Sequence, residues 1–291
     1  MLVSTQTQFL GTSYSDADAI RMLHEAGFDA YDFSMLKMTS KDPDEPLNGD
    51  NYREYAKGLR ALADELGIVC NQAHAPFTNG KKDQREIMDK ILRSIEAASI
   101  LGAKIIVVHP CHHLTYSEHA EELHKINIEF YKSLIPYCEK FNIKVAMENM
   151  YQVVNKSHRM VDSACSRAEE FCSYMDEVDS EWIVGCLDIG HVAVIGENIE
   201  RMIHTLGNKR LQALHVHDNN LCDDLHTLPY MRNINFDAVL KALRDIEYQG
   251  DFTFEADRFL RFMPEKLVPH GLKFMLETGR YMTSQIEKES R

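Results

Sequence analysis

The chain has 291 residues, of which 44% are hydrophobic and 26% charged, so it can form one large α/β domain or two small ones. Its 32 basic and 45 acidic residues give a net charge of -13, which argues against a nucleic-acid partner because phosphate backbones are bound mainly by Lys and Arg. Neither a membrane span nor a signal peptide is recognisable, so we expect no membrane contact.

A pattern of an amphipathic helix, a Gly or Asn, and then an apolar strand recurs along the chain. It is seen in ELGIVCNQAH and KFNIKVAMEN, where the helix-terminating residue often needs a positive φ. Ser15 and Asp18 have the spacing of a capping box for the first helix. The sequence predicts eight strands, at residues 3–8, 29–33, 68–74, 104–109, 144–149, 183–188, 211–217 and 251–255.

Alternating strands and helices predict parallel strands joined by right-handed crossovers. Eight such units fit a closed (β/α)8 barrel, an α/β fold, as a single domain over residues 1–291. An open doubly wound sheet shares the alternation, but no Gly-rich phosphate loop follows the first strand. Long loops follow the second, fifth and seventh strands, at Ser34–Asp50, Met150–Asp179 and Asp218–Asn235. They would lie on the rim that carries active sites, or form a homo-oligomer contact.

The seven cysteines form no Cys-x-x-Cys pair, and their odd count argues against a disulfide scaffold. Cys70 and Cys186 lie within apolar strand segments, where a thiol behaves as a small hydrophobic group. These features predict a reduced, cytoplasmic protein.

Most of the predicted strands end on, or just before, a side chain that can bind a metal. Taken singly, such a residue is more often a hydrogen-bonded histidine, a helix cap or a rim ion pair than a ligand. Together they predict a divalent cation, because the strand ends of a barrel converge on one mouth. Mixed carboxylate and imidazole ligands suit Mn, Fe, Co or Zn. The nine candidates are His74, His109, Glu148, Asp188, His191, His215, Asp224, His226 and Glu255.

The motifs HAPF, VVHP, AMEN, LDIGH, LHVHDNN and FEAD resemble, in this order, those of the xylose-isomerase-like TIM-barrel superfamily. That superfamily contains sugar isomerases and epimerases, inosose dehydratases and endonuclease IV-type nucleases. The resemblance implies a single-metal site and a substrate-contacting His191. It also implies that four residues match further ligands of the three-zinc nuclease cluster. The implied single-metal ligands are Glu148, Asp188, His215 and Glu255, and the further ones are His74, His109, Asp224 and His226.

The first functional hypothesis is a metal-dependent isomerase or epimerase of a sugar or polyol, or a related dehydratase or lyase. Mn2+ or Zn2+ would be the cofactor, with Co2+ or Fe2+ as alternatives. Glu148 and Glu255 would accept and return the proton, and His191 would hydrogen-bond the substrate. His217 is a candidate substrate contact or a support for the ligands, and Arg258 could bind a phosphate or carboxylate.

Two further observations restrict the first hypothesis. Ketose 3-epimerases carry another glutamate shortly after the strand-five ligand, whereas residues 149–161 contain no Asp or Glu. The loop Asp218–Asn235 contains no Gly, which favours a non-phosphorylated substrate.

The second hypothesis is a hydrolase with two or three zinc ions, similar to the endonuclease IV-type nucleases, held by all nine candidates. The acidic chain lacks the basic surface that a DNA-binding protein normally shows, and this argues against it. A third hypothesis is a non-catalytic barrel that binds a metabolite or serves as a subunit of a complex.

Overall fold

The computed structural model describes residues 1–39, 45–77, 84–154 and 158–288. The strands are β1 Val3–Thr5, β2 Ala30–Ser34, β3 Val69–His74, β4 Ile105–Val108, β5 Lys144–Glu148, β6 Tyr151–Val154, β7 Arg159–Asp162, β8 Ile183–Asp188, β9 Leu211–His215 and β10 Phe252–Phe254. The α-helices are α1 Gln8–Ser13, α2 Asp16–Ala26, α3 Tyr52–Leu66, α4 Gln84–Leu101, α5 Tyr116–Phe141, α6 Ala168–Val178, α7 Ile189–Val194, α8 Ile199–Arg210, α9 Phe236–Asp245 and α10 Val268–Ile286.

The eight predicted strands form a closed parallel barrel. A six-stranded sheet runs in the order β2-β3-β4-β5-β8-β9, and β1 pairs with β10. Parallel bridges from Gln6 to Asp32 and from Val216 to Phe254 join the pair to both edges of the sheet. The prediction of a (β/α)8 barrel is therefore confirmed, and the open doubly wound alternative is excluded.

The predicted strand positions agree with the structure to within a few residues. The first strand ends at Thr5 because α1 begins at Gln8, and the seventh ends at His215, after which Val216 makes only an isolated bridge. Ser15 caps α2 as predicted, since its hydroxyl accepts a hydrogen bond from the Asp18 amide. The sequence did not predict the antiparallel hairpin formed by β6 and β7 after the fifth barrel strand.

Alternation along the barrel strands divides the interior into layers. Small apolar residues form one layer inside the barrel. On β5, β8 and β9, the residues two positions after this layer are Glu148, Asp188 and His215. The inward face of each strand therefore ends in a polar group at one rim. The layer of small residues consists of Val107, Ala146, Val184, Cys186 and Ala213.

All seven cysteines are free, as expected for a reduced protein, and five of them are buried. Among the described residues, no helix is long and apolar enough to cross a membrane.

Asp29 joins the two ends of the chain at the barrel face opposite the polar rim. Its carboxylate accepts hydrogen bonds from Arg280 Nη1 at 2.5 Å, from Arg280 Nη2 at 2.6 Å and from the Val3 amide at 3.0 Å. Burial alone would raise the pKa of Asp29, but the Arg280 guanidinium lowers it below its usual value.

Asp29→Asn is expected to lower the free energy of unfolding by about 1 kcal/mol near neutral pH. A depressed folded-state pKa stabilises the protein above the unfolded pKa, and this contribution is lost as the pH falls through the folded pKa. Urea unfolding at about pH 7 and about pH 3 should therefore show a difference from wild type that shrinks in acid. An equal difference at both pH values would contradict this account.

Candidate metal centre

Four acid and imidazole side chains from the last four barrel strands meet at the polar rim. Their potential ligand atoms all lie within 4.8 Å of one another, and all four residues are buried. His215 Nδ1 is 3.1 Å from Glu148 Oε1 and 3.2 Å from Glu255 Oε2, so this imidazole lies between the two glutamates. We call Glu148, Asp188, His215 and Glu255 the central group.

A second group shares Glu148 with the central group and adds His74 and His109 from β3 and the end of β4. The Nε2 atoms of the two histidines are 3.1 Å apart. Glu148 Oε2 is 2.8 Å from His109 Nε2 and 3.6 Å from His74 Nε2. Ring nitrogens and a carboxylate oxygen therefore face one another within a small buried volume.

A third group combines His191 from α7 with His217, Asp224 and His226 from the region after β9. Asp224 Oδ2 is 2.8 Å from His226 Nε2 and 3.9 Å from His191 Nε2. His217 Nε2 lies 3.1 Å from Asp188 Oδ1 and 3.4 Å from Asp224 Oδ1, which links this group to the central one. All nine ligand candidates thus converge on one mouth.

Hydrogen bonds to backbone carbonyls orient three of these histidines. Nδ1 of His74, His191 and His226 donates to the carbonyls of Ala75, Asn149 and Glu255, each at 2.8 Å. Because the Nδ1 proton is used in this way, the lone pair of Nε2 is directed into the site. This arrangement is usual for metal-binding histidines in proteins.

The unsatisfied polar atoms of the site fit a bound cation. Three buried oxygens, Glu148 Oε2, Asp188 Oδ2 and Asp224 Oδ1, accept no hydrogen bond from the described residues. Glu148 Oε2 lies 2.8 Å from His109 Nε2, an ion-pair contact within the second group. Leaving such groups buried without partners is costly, whereas a divalent ion would use their lone pairs. A mixed carboxylate and imidazole set suits Mn2+ or Zn2+.

The two glutamates of the central group differ electrostatically. Burial alone would raise the pKa of Glu148, but the neighbouring His215 and His109 lower it well below its usual range. Burial raises the pKa of Glu255, and His215 and His226 offset this only in part. Burial alone would lower the pKa of His226, but Asp224 and Glu255 raise it to about 10.

The structure adds Asp32, which sequence reasoning missed, to the site. Asp32 is fully buried on β2, and its Oδ2 lies 3.3 Å from His215 Nε2 and accepts a hydrogen bond from Gln72 Nε2 at 3.0 Å. A proton held on His215 Nε2 leaves the Nδ1 lone pair directed between Glu148 and Glu255. Asp32 therefore orients the one histidine of the central group.

Asp32→Ala is expected to weaken divalent metal binding about 10- to 100-fold, because His215 loses the carboxylate that fixes its tautomer. Asp32→Asn keeps an acceptor and is expected to lose less. The Co2+ dissociation constant and absorption spectrum would be measured for both variants. Ser4→Ala is the control, because Ser4 is buried and bonds Thr253 rather than a ligand. Unchanged Co2+ affinity in Asp32→Ala would contradict this role.

Other residues that sequence reasoning missed support the site from nearby. Asn149 donates to the Asp188 carbonyl at 3.0 Å and accepts from the Asp188 amide at 2.8 Å, which fixes the end of β8 against β5. Tyr151 donates its hydroxyl proton to Asp224 Oδ2 at 2.9 Å. Gly190 allows His217 to approach, because a Cβ there would lie 1.9 Å from the His217 ring. The sequence signal for Asn149 is its place in the AMEN motif, directly after the ligand candidate Glu148.

A cavity of about 1130 Å³ opens above the three groups. Its floor includes seven of the nine candidates, and Arg258, which donates to the Asp224 carbonyl at 2.8 Å, lies on its wall. His217 is fully buried and does not line the cavity, so its position favours support of Asp188 and Asp224 over substrate contact. The floor residues are His74, His109, Glu148, His191, Asp224, His226 and Glu255.

Comparison with known proteins gives matches over most of the chain. A family model described as a xylose isomerase-like TIM barrel matches residues 20–278. The uncharacterized protein MJ1311 of Methanocaldococcus jannaschii is 30% identical over 210 residues, which are 68% of this chain and 68% of that protein.

Two solved structures illustrate the similarity in fold. A D-psicose 3-epimerase in the presence of D-fructose has a TM-score of 0.76 at 14% identity, covering 97% of this chain and 99% of that one. The IOLI protein with a binding zinc atom has a TM-score of 0.69 at 16% identity, covering 98% of both chains. At these identities the two structures show a shared fold alone.

Proposed function

The chain belongs to the xylose isomerase-like TIM barrel family, and from this premise we propose that it is a metal-dependent isomerase or epimerase of a sugar or polyol. The observation that carries the proposal is the central group, in which two buried glutamates flank His215 beneath a cavity. Similar folds include an epimerase studied with D-fructose and a protein that binds zinc, which agrees with this chemistry.

Glu148, Asp188, His215 and Glu255 would hold Mn2+ or Zn2+, with Co2+ or Fe2+ as alternatives. When bound, the cation supplies Lewis-acid stabilisation of the negative charge that develops on a substrate oxygen. Asp32 keeps His215 in the orientation that this site needs.

The remaining chemistry is proton transfer at a carbon next to a carbonyl group. Glu148 and Glu255 flank His215, so one carboxylate can remove the proton and the other can return one. His191 lies on the cavity floor and hydrogen-bonds the substrate, while Arg258 binds a polar group of the substrate at the wall.

Proton exchange with solvent tests this function directly. Metal-loaded protein would be incubated in D2O with D-fructose and a panel of other ketoses and polyols, and deuterium incorporation at carbon would be followed by NMR. We expect incorporation into at least one substrate, and its loss in Glu255→Gln. The absence of exchange across the panel would count against the proposal.

A specific observation favours a second candidate, a multinuclear-zinc phosphodiesterase. The five additional ligand candidates do not scatter over the rim: two of them join Glu148 in one further group, and three join His217 in another. These groups would hold two or three metal ions, which would supply Lewis-acid activation of water for the hydrolysis of a phosphodiester. The net charge of -13 argues against a DNA substrate.

Metal stoichiometry separates the two candidates. One tightly bound ion per chain, measured by mass spectrometry of the purified protein, is expected for the isomerase or epimerase. Three ions together with incision of abasic duplex DNA would establish the phosphodiesterase instead.

A further inference from the structure

The hairpin formed by β6 and β7 is a wall of the active-site cavity. Its antiparallel register pairs Tyr151 with Asp162 and Val153 with Met160. Directly paired residues lie on the same face of the hairpin, and the residues between them along the strand, Gln152 and Val154, lie on the opposite face. Tyr151, Val153, Met160 and Asp162 therefore share one face. Asp162, at one end of this face, is paired with Arg167, and we call the other three residues the apolar strip.

The apolar strip begins at the candidate metal centre. The Tyr151 hydroxyl donates to Asp224 at 2.9 Å, and the Tyr151 ring packs edge-on against His191 with centroids 4.9 Å apart. Val153 is two residues further along the strand, roughly 7 Å from Tyr151. A ligand that touches both the metal centre and Val153 must therefore extend beyond the group that reacts.

The strip exposes apolar surface that the described part of the chain leaves uncovered. Val153 is 45% exposed and Met160 is partly exposed, and both line the cavity. Pockets for drug-sized ligands usually measure about 300–1,000 Å³, and this cavity of about 1130 Å³ exceeds that range. One sugar ring would leave most of the cavity and the strip in contact with water.

Hydrogen bonds hold the hairpin in place. The Gln152 side chain donates to the carbonyls of His112 at 2.9 Å and Leu114 at 2.6 Å, and it accepts from the Tyr116 amide at 2.9 Å. At the hairpin base, Arg167 pairs with Asp162 at 2.5 Å. The wall is therefore preorganised, and a ligand that binds it need not order the strands.

The chemistry of the strip indicates an uncharged apolar ligand. None of its three side chains carries a charge, and Tyr151 uses its hydroxyl proton on Asp224. The nearby Arg167 is occupied by Asp162 and by Glu197 at 3.3 Å, so it is not available to a phosphate. Burial of an aromatic or alkyl group against Val153 and Met160 would be favourable through the hydrophobic effect.

We propose that the apolar strip is a subsite for an aromatic or alkyl group attached to the sugar, so that the substrate is a glycoside rather than a free sugar. For the proposed proton transfer, this glycoside carries a ketone on its sugar ring, because its glycosidic carbon is an acetal and not a carbonyl. This inference rests on the proposed function only in placing the sugar at the metal centre. The strip and its distance from that centre are features of the hairpin itself.

Calorimetry with two simple glucosides tests the subsite. Mn2+-loaded protein would be titrated with phenyl β-D-glucoside and with methyl β-D-glucoside, which differ only in the attached group. We expect the phenyl glucoside to bind at least about tenfold more tightly, because its ring is removed from water at the strip. In Val153→Thr/Met160→Gln, which keeps side-chain shape but adds polarity, we expect the ratio to fall several-fold.

Val69→Thr is the matched control, because Val69 is a valine of similar exposure, 48%, on β3 and outside the active-site cavity. It should keep the wild-type ratio. The subsite is refuted if the phenyl glucoside binds no better than the methyl glucoside, or does not bind. It is also refuted if the ratio of the two affinities is unchanged in the double variant. Proton exchange is measured in a separate experiment. If no exchange is found but the phenyl glucoside still binds more tightly than the methyl glucoside, the proposed function is refuted and the subsite is not.

Discussion

Glu148→Gln is expected to reduce turnover about 1,000-fold and to weaken metal binding at the central group, because the proposed function makes this glutamate both a metal ligand and a proton acceptor. Its Oε1 lies 3.1 Å from His215 Nδ1, and its Oε2 lies 2.8 Å from His109 Nε2. The carboxylate thus belongs to two ligand groups at once. A neutral amide removes the negative charge and directs N–H donors toward a position where a cation is held.

The measurement is the rate of deuterium incorporation together with metal content, each compared with wild type. Glu96→Gln is the control, since Glu96 is a partly buried carboxylate whose partners are Tyr52 and Arg53, far from the rim. Circular dichroism would verify that both variants fold. Wild-type metal content and exchange rate in Glu148→Gln would refute the catalytic and ligand roles together.

Removing the cation with a chelator is expected to abolish activity and to lower the free energy of unfolding by about 3–4 kcal/mol. Binding to the folded state stabilises a protein by about this amount when the free metal concentration is about 100 to 1,000 times the dissociation constant. The central group has three buried carboxylates and one imidazole. Without a cation these carboxylates repel one another in a site shielded from water. Readdition of Mn2+ or Zn2+ should restore both properties.

Thermal unfolding with and without the chelator would measure this effect. The stabilisation by metal should also shrink as the pH falls, because protons compete for the same carboxylates and imidazoles. Asp188→Asn should unfold at nearly the same temperature with and without added metal. A wild-type protein whose melting temperature and activity survive exhaustive chelation would contradict a metal centre.

The barrel could be predicted from the sequence because its signals are local. Several strands are short apolar segments preceded by a helix that ends at a residue with positive φ, as at Gly27, Gly67 and Asn142. The hairpin β6–β7 was not predicted because its strands have only four residues each and none of these residues is buried. Periodicity over so few residues does not distinguish a strand from a loop.

Seven of the nine ligand candidates could be predicted because a charged or imidazole group at, or just after, the end of an apolar strand is conspicuous; Asp224 and His226, in the loop after β9, lack this signal. Asp32 has no such signal, since it lies within the second strand, between Tyr31 and Phe33, and not at its end. Its importance depends on the inward direction of its side chain, toward His215 on a strand 183 residues away. That direction follows from the closure of the barrel.

The sequence by itself determined the fold class, the approximate strand boundaries and the inventory of metal-binding side chains, because hydrophobic period and residue type are properties of short segments. Only the tertiary structure decided how the candidates are grouped, that the central and second groups share Glu148, and which histidine Asp32 orients. It also decided that the hairpin lines the cavity with an apolar strip. These features depend on distances between residues far apart in the chain, and barrel closure sets those distances.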